Sequence, residues 1–236
     1  MKTRFKALIG AATLALTQLP AQAVLVELGL VIDGSGSISS SNFASQRTSY
    51  QTALQNVFNG GGLFGNVAIG VWQFSSSVST VHTSTIINTQ ADLDALKTSI
   101  ANMTQLGGGT NIGLGIDTAR IAMLGNGIAA DRTVIDVSTD GFGSGNEDAA
   151  ADNAINAGVY AVNGLGIGGG ADLTWVPTNI SPSFAIQISD FGQLQSALEQ
   201  KILRETIGGV PDTGSALVLF FGTLIGLVAV RRRMAA

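Results

Sequence analysis

Residues 24–37 read VLVELGLVIDGSGS: a near-continuous apolar run over 24–32 that breaks into Asp33-Gly34-Ser35-Gly36-Ser37. An apolar run that ends abruptly on a polar turn is the pattern of a central strand buried on both faces of a parallel sheet. Behind a serine-rich cap, Phe43, Tyr50, Ala53, Leu54, Val57 and Phe58 recur at helical spacing until Gly60-Gly61-Gly62 stops them. Residues 66–74 (NVAIGVWQF) and 80–88 predict two more strands. The short Ser-rich turn between them makes the second antiparallel, at an edge of the sheet.

The alternation continues to the end of this region. Leu93, Leu96, Ile100 and Met103 share a helical face with Thr89 as N-cap, and Ile112, Ile116, Ala119 and Met123 share another after a glycine loop. Strands at 133–138 (TVIDVS) and 159–167 flank an Ala-rich helix near 148–157, and 184–188 is the last strand. Asp190 and Gln193 have capping-box spacing ahead of Phe191, Leu194, Leu198 and Ile202, with Gly208 ending that helix. The expected fold class is α/β: a doubly wound, mostly parallel six-stranded sheet with helices on both faces, Rossmann-like, with one antiparallel edge strand. Residues 168–183, which contain Trp175, form a crossover loop near one end of the sheet.

Composition narrows the chemistry. Charged residues are 12% of the 236, about half the usual quarter, and hydrophobic residues are 45%, normal for a globular chain. The absence of cysteine excludes disulfides, thiolate metal sites and a Cys nucleophile, and the single histidine, His82, leaves little room for His-based chemistry. Over residues 24–209, six basic side chains stand against fifteen acidic ones. Such a surface repels nucleic acid and suits a cation or a basic partner.

Both termini have their own character. Residues 1–23 carry Lys2, Arg4 and Lys6, then a ten-residue apolar run, and close on Ala21-Gln22-Ala23, the layout of a secretory signal peptide cleaved after Ala23. Residues 24–209 are then the folded domain. In 210–236, Val210-Pro211-Asp212-Thr213-Gly214-Ser215 precedes an uncharged, mostly apolar run at 216–230 and Arg231-Arg232-Arg233. The run reaches about 22 Å as a helix, just short of a comfortable span unless 213–215 join it, and the arginines belong on the cytoplasmic side. This tail resembles the PEP-CTERM-type signals handled by exosortases in Gram-negative bacteria, closest to the variant headed VPDSG. It also resembles the LPxTG signal of sortases, with Val210 in the Leu position; the apolar run starting straight after Ser215 favours the exosortase reading. A plain transmembrane anchor is the third reading.

Three polar loops fall at expected strand ends or helix starts, where an open parallel sheet binds its ligands. They are Asp33-Gly34-Ser35-Gly36-Ser37, Gly107-Gly108-Gly109-Thr110-Asn111 and Thr139-Asp140-Gly141. Each puts hard oxygen donors on a glycine-rich backbone, a donor set for Mg²⁺, Mn²⁺ or Ca²⁺. The DxSxS motif as DGSGS, the threonine of GGGTNIG and the TDG after an apolar strand resemble the von Willebrand factor A domain, over nearly all of 24–207. The segments SNFASQRTSYQTAL, DRTVIDVSTDG and INAGVYAVNGLGI look especially like an uncharacterised group of bacterial secreted A-like proteins. The resemblance implies a complete metal-ion-dependent adhesion site (MIDAS): Ser35, Ser37 and Thr110 as ligands, with Asp33 and Asp140 coordinating directly or through water.

Competing chemistry is weaker. Ala44 occupies the position where an EF-hand needs its twelfth-residue Glu. Gly164, Gly166 and Gly169 satisfy a dinucleotide spacing, but no helix follows them. His82 belongs on the edge strand as a solvated side chain, and Asp136, mid-strand, reads as a buried acid hydrogen-bonded to backbone. Thr110 alone could be a helix cap and Asp140 alone an Asp-Gly turn. The resulting expectation is a non-enzymatic, surface-displayed adhesion or ligand-binding domain whose divalent ion engages an Asp or Glu carboxylate of an extracellular protein or matrix partner. It would be exported, at least transiently anchored by its C-terminal helix, and processed by an exosortase- or sortase-type enzyme. The alternative is a structural envelope or extracellular-matrix protein in which the metal only stabilises the fold or assembly.

Overall fold

The computed structural model describes residues 25–207. The signal-peptide segment 1–23 and the sorting or anchor segment 210–236 lie outside the described residues. Six strands form one sheet: β1 (Val26–Asp33), β2 (Val67–Phe74), β3 (Val78–Ile86), β4 (Arg132–Thr139), β5 (Ala161–Ile167) and β6 (Ala185–Ile188). Their order is β3-β2-β1-β4-β5-β6, all parallel except the β2–β3 hairpin. The expected α/β class, strand count and antiparallel edge are all present. Every residue of β1 is buried, as its unbroken apolar run requires of a strand flanked and covered on all sides.

Alternate residues of β1 serve two cores. Val26, Leu28, Leu30 and Ile32 pack under α1 (Ser40–Gly61), α2 (Gln90–Ala101) and α5 (Leu194–Ile207), while Val31 joins the core beneath α3 (Ile112–Gly125) and α4 (Glu147–Asn156). Local signals set the helix ends. Thr89 and Asp92 form a reciprocal capping box on α2, and Gly62 ends α1 at φ 62°, a conformation glycine adopts without Cβ strain. Asp190 accepts from the Gly192 amide and caps a 3₁₀ turn, Phe191–Gln193, that leads into α5. The Gln193 side chain accepts from the Ser189 amide, not from residue 190 as a capping box requires.

Residues 168–183 do more than connect. They lie flat on the second core, where a crossover helix would otherwise sit, with Trp175 and Val176 buried and the indole N–H donating to the Asp172 carbonyl at 2.8 Å. A Cβ on Gly164 would fall 2.7 Å from Val176 and 2.9 Å from Leu173. Gly166, where a Cβ would fall 3.0 Å from Ala171, continues that track, so two of the three glycines that mimic a dinucleotide spacing are where this loop packs, and Gly169 lies in the loop itself.

One element was misread from sequence. Asp136 is fully buried, but its partner is the Lys201 ammonium at 2.5 Å rather than backbone. Lys201 also pairs with Glu205 at 2.7 Å, Asn163 donates to Glu205 at 2.8 Å, and the Tyr50 hydroxyl donates to Ser138 at 2.8 Å. Two carboxyls share one buried ammonium here. Burial first, and the Asp136 charge second, push the Glu205 carboxyl up to about 8. Because Glu205 holds its proton more tightly folded than unfolded, the folded state binds the extra proton between pH 4.5 and about 8, and stability falls as pH rises through that window. Glu205→Gln is expected to remove much of that loss, measured as urea midpoints at about pH 5 and about pH 8.5; an unchanged pH dependence contradicts the assignment.

Candidate metal centre

The strand order reverses between β1 and β4: the chain leaves β1 towards β2 on one side and later returns to β4 on the other. At such a switch point the loops leaving the two strands diverge and open a crevice. Asp33 is the last residue of β1 and Thr139 the last of β4, so Asp33 and Asp140 stand at the mouth of that crevice by topology alone.

Backbone hydrogen bonds bolt the second loop to the first. Gly36 N–H donates to Gly108 O at 2.9 Å and Gly107 N–H to Gly34 O at 2.8 Å. A Cβ on Gly36 would sit 3.2 Å from Gly108 O, and Gly107 and Gly108 have φ of 68° and 83°. Glycine is needed here for close approach and for left-handed backbone alike. Asn111, not Thr110, caps α3, its Oδ1 accepting from the Leu114 amide at 2.9 Å. The Thr110 hydroxyl is thereby left to the crevice. It lies 3.7 Å, and the Ser37 hydroxyl 3.9 Å, from where a Cβ on Gly141 would be.

The five expected side chains converge. Asp33 accepts from the Ser35 amide at 2.8 Å and from the Thr139 hydroxyl at 2.7 Å. The Ser35 and Ser37 hydroxyls are 3.0 Å apart, and Ser37 donates to Asp140 at 2.6 Å. Asp33 and Ser35 are buried, Thr110 and Asp140 half-buried, and Ser37 exposed, so the oxygens lead from the sheet out to solvent. Burial, chiefly, raises the Asp33 carboxyl above its ordinary value; hydrogen bonds from Ser35 and Thr139 oppose this, and the Asp140 charge adds to it. The ion pairs of Lys97, Arg120 and Lys201 are all made elsewhere.

This donor set fits a hard divalent cation. Two like charges held near one another without a basic side chain are relieved by a cation between them. No group of three or more His, Cys, Asp or Glu side chains is gathered as a metal site among the described residues. The ion would therefore rest on two carboxylates and three hydroxyls, an all-oxygen shell suited to Mg²⁺, Mn²⁺ or Ca²⁺.

Sequence reasoning missed the residues that hold these loops. Gln46 Nε2 donates to Asp33 O at 2.8 Å, Gln73 Oε1 accepts from the Leu106 amide at 2.9 Å, and Gln105 Nε2 donates to Ser35 O and Ile38 O at 2.8 Å each. Ser76 Oγ accepts from the Gly109 amide at 2.7 Å. Gln73 gave a signal, as a polar residue at the buried end of an apolar strand; Gln46 and Gln105 gave none. His82 is half-buried, between Ser99 Oγ at 3.1 Å and Thr85 Oγ1 at 3.2 Å, and burial lowers its pKa. It lies on β3, opposite Val71, and its two ring nitrogens are taken by Ser99 and Thr85.

Known proteins agree with this fold. The family described as a protein of unknown function (DUF1194) matches residues 23–210. No curated protein matches the chain. A similar solved structure is proximal thread matrix protein 1 from the mussel byssus with a zinc-occupied MIDAS motif, 23% identical, TM-score 0.61, over 76% of this chain and 47% of that one. The pilus adhesin SpaC of Lactobacillus rhamnosus GG is 16% identical, TM-score 0.61, over 77% of this chain and 30% of that one. A von Willebrand factor type A protein from Catenulispora acidiphila is 17% identical, TM-score 0.63, over 78% and 43%. The chain spans about half, or less, of each of these proteins, and the likeness establishes a von Willebrand factor A-type fold.

The glutamines yield a test that touches none of the five crevice side chains. Gln105→Ala removes two hydrogen bonds between the loops and should cost about 1–3 kcal/mol in urea unfolding. A loss below about 0.5 kcal/mol would show that the loops do not depend on Gln105.

Proposed function

The chain belongs to DUF1194, a family of proteins of unknown function, and for this member we propose a metal-ion-dependent adhesion or ligand-binding role, non-enzymatic and exercised outside the cytoplasm. The observation that carries the reading is the run of oxygens from buried Asp33 through Ser35 and Ser37 to Asp140, open to solvent at one end, with the Thr110 hydroxyl beside it. A divalent ion held there, Mg²⁺ or else Mn²⁺ or Ca²⁺, supplies a Lewis-acidic docking point for a partner's Asp or Glu carboxylate.

The protein's own residues do the rest. Ser35, Ser37 and Thr110 offer neutral oxygens, so the site neutralises little of the ion's charge and keeps it attractive to an outside carboxylate. Asp33 and Asp140 orient the serines. Near the crevice, Phe142 is 69% exposed only two residues beyond Asp140, an apolar side chain placed to pack beside whatever docks. Among the described residues, no general base stands in the crevice apart from the two aspartates that would hold the ion, which argues against hydrolysis.

The zinc-occupied MIDAS motif of the similar mussel protein supports the metal reading, and the signal-like and tail segments support export, surface display and processing by an exosortase- or sortase-type enzyme. The partner we propose is an extracellular protein or matrix component bearing an exposed acidic residue. Nucleic acid is not a partner of so acidic a surface.

Two outcomes test this. Mg²⁺ at about a hundred times its Kd should stabilise wild type by about 2.7 kcal/mol, seen as a rise in Tm of several degrees, and should do nothing to Asp140→Ala. An equal rise in both proteins would contradict the site. Phe142→Ser should leave the Mg²⁺ response intact while weakening capture of the partner from a matrix fraction about tenfold, roughly 1.4 kcal/mol. Unchanged capture would remove Phe142 from the contact.

A further inference from the structure

On the antiparallel edge of the sheet, a cleft of about 510 Å³ opens between the start of β3, the last turn of α2 and residues 102–106. That is the size of a small-molecule site. Gln73, Ser79, Thr80, Ser99, Asn102 and Thr104 supply its polar wall. We propose that this cleft binds a neutral saccharide.

Gln73, one residue from the end of β2, presents a buried amide with half of its hydrogen bonding unused. The side chain is 1% exposed, and its Oε1 accepts from the Leu106 amide at 2.9 Å, which fixes which end of the amide is oxygen. A Cβ on Gly34 would fall 2.5 Å from Gln73 Cδ, so the missing side chain of Gly34 makes the space in which the amide lies. Nε2, the other end of that amide, donates to nothing among the described residues, and Gln73 lines the cleft. A buried N–H₂ held in one orientation without an acceptor is costly unless a ligand or water meets it.

The chemistry of the wall selects the ligand. In a domain with six basic and fifteen acidic side chains, no residue lining this cleft is charged. A charged ligand would give up water there without meeting an opposite charge. The side chains of Ser79, Thr80, Asn102 and Thr104 are exposed and bond nothing among the described residues, so hydroxyls and amides that both donate and accept face the cleft. A wholly apolar ligand would leave those groups without water or partner. A sugar offers the same two-way hydroxyls, and Val81, Met103 and Leu106 supply apolar surface for the C–H faces of its ring.

The other neutral ligand that donates and accepts is a peptide main chain, added to β3 as a further strand. The structure favours the sugar. β3 pairs with β2 through register shifts on both sides of Val71, opposite His82, so its backbone edge is kinked between Thr80 and Thr85 where an added strand would need it regular. The inference stands apart from the metal reading, since none of the five crevice side chains lines the cleft.

The test uses the full chain and four probes, glucose, galactose, mannose and N-acetylglucosamine, while the Gln73 side-chain N–H₂ resonances are followed by NMR. Each sugar is titrated to about 100 mM, roughly a hundred times a millimolar Kd. A saturable shift with at least one of the four is the expected result. Asn102→Ala combined with Thr104→Val should then weaken that sugar at least tenfold and leave the rise in Tm with Mg²⁺ unchanged. A blocked, uncharged pentapeptide is the counter-probe. Saturable shifts with the peptide and with none of the sugars overturn the proposal in favour of an added strand. Shifts with none of the five probes overturn it outright, as does sugar binding unaltered in the double variant.

Discussion

Asp33 closes the central strand, and the arrangement of the crevice depends on how it is held. Its carboxylate is buried, which is costly unless donors surround it. Those donors come from different parts of the chain. Ser35 N–H belongs to the following loop and Thr139 Oγ1 to the end of β4, while the Asp33 carbonyl takes Gln46 Nε2 from α1. One residue thereby fixes the turn after β1, the distance to β4 and the seat of α1. The loop carrying Thr110 is then held to the first by Gly36–Gly108 and Gly34–Gly107 pairing. The site is pre-organised by backbone, so its oxygens need little rearrangement to meet a ligand.

β4 joins the two ends of the molecule. It begins at Arg132, beside Tyr160 and the end of α5, passes buried Asp136 and Ser138, and ends in Thr139, with Asp140 following at the crevice. Asp136 and Ser138 face α1 and α5 through Lys201 and Tyr50. A buried ion pair of this kind is weak evidence for stability, because desolvation offsets much of its attraction. Its clearer consequence is a fixed register between α5 and the sheet, since Lys201 has one place where both its carboxyl partners are in reach.

The fold was largely legible because its strands are long apolar runs and its helices have caps at the right distance. Residues 24–32 and 133–138 announced buried strands, Thr89 announced α2, and the short turn after Phe74 announced the antiparallel edge. The five crevice residues were legible because each sits on a glycine-rich loop at a strand end or helix start. What sequence could not show was pairing at a distance. Asp136 and Lys201 are 65 positions apart, and nothing local marks either as the other's partner. Gln46, Gln73 and Gln105 act through contacts that exist only after the loops have closed. The packing of residues 168–183 onto Gly164 was likewise invisible, because a flat loop against a glycine has no periodicity.

The central claim is that the oxygens of Asp33, Ser35, Ser37, Thr110 and Asp140 are the ligands of one divalent ion. The most direct measurement is a crystal structure of the protein grown with Mn²⁺, with anomalous diffraction used to locate the metal. The account predicts one strong anomalous peak in the crevice, bounded by the three hydroxyls and the two carboxylates, and none there in Asp33→Ala crystals grown the same way. A crevice without a peak at saturating Mn²⁺, or a peak that persists in Asp33→Ala, would contradict it.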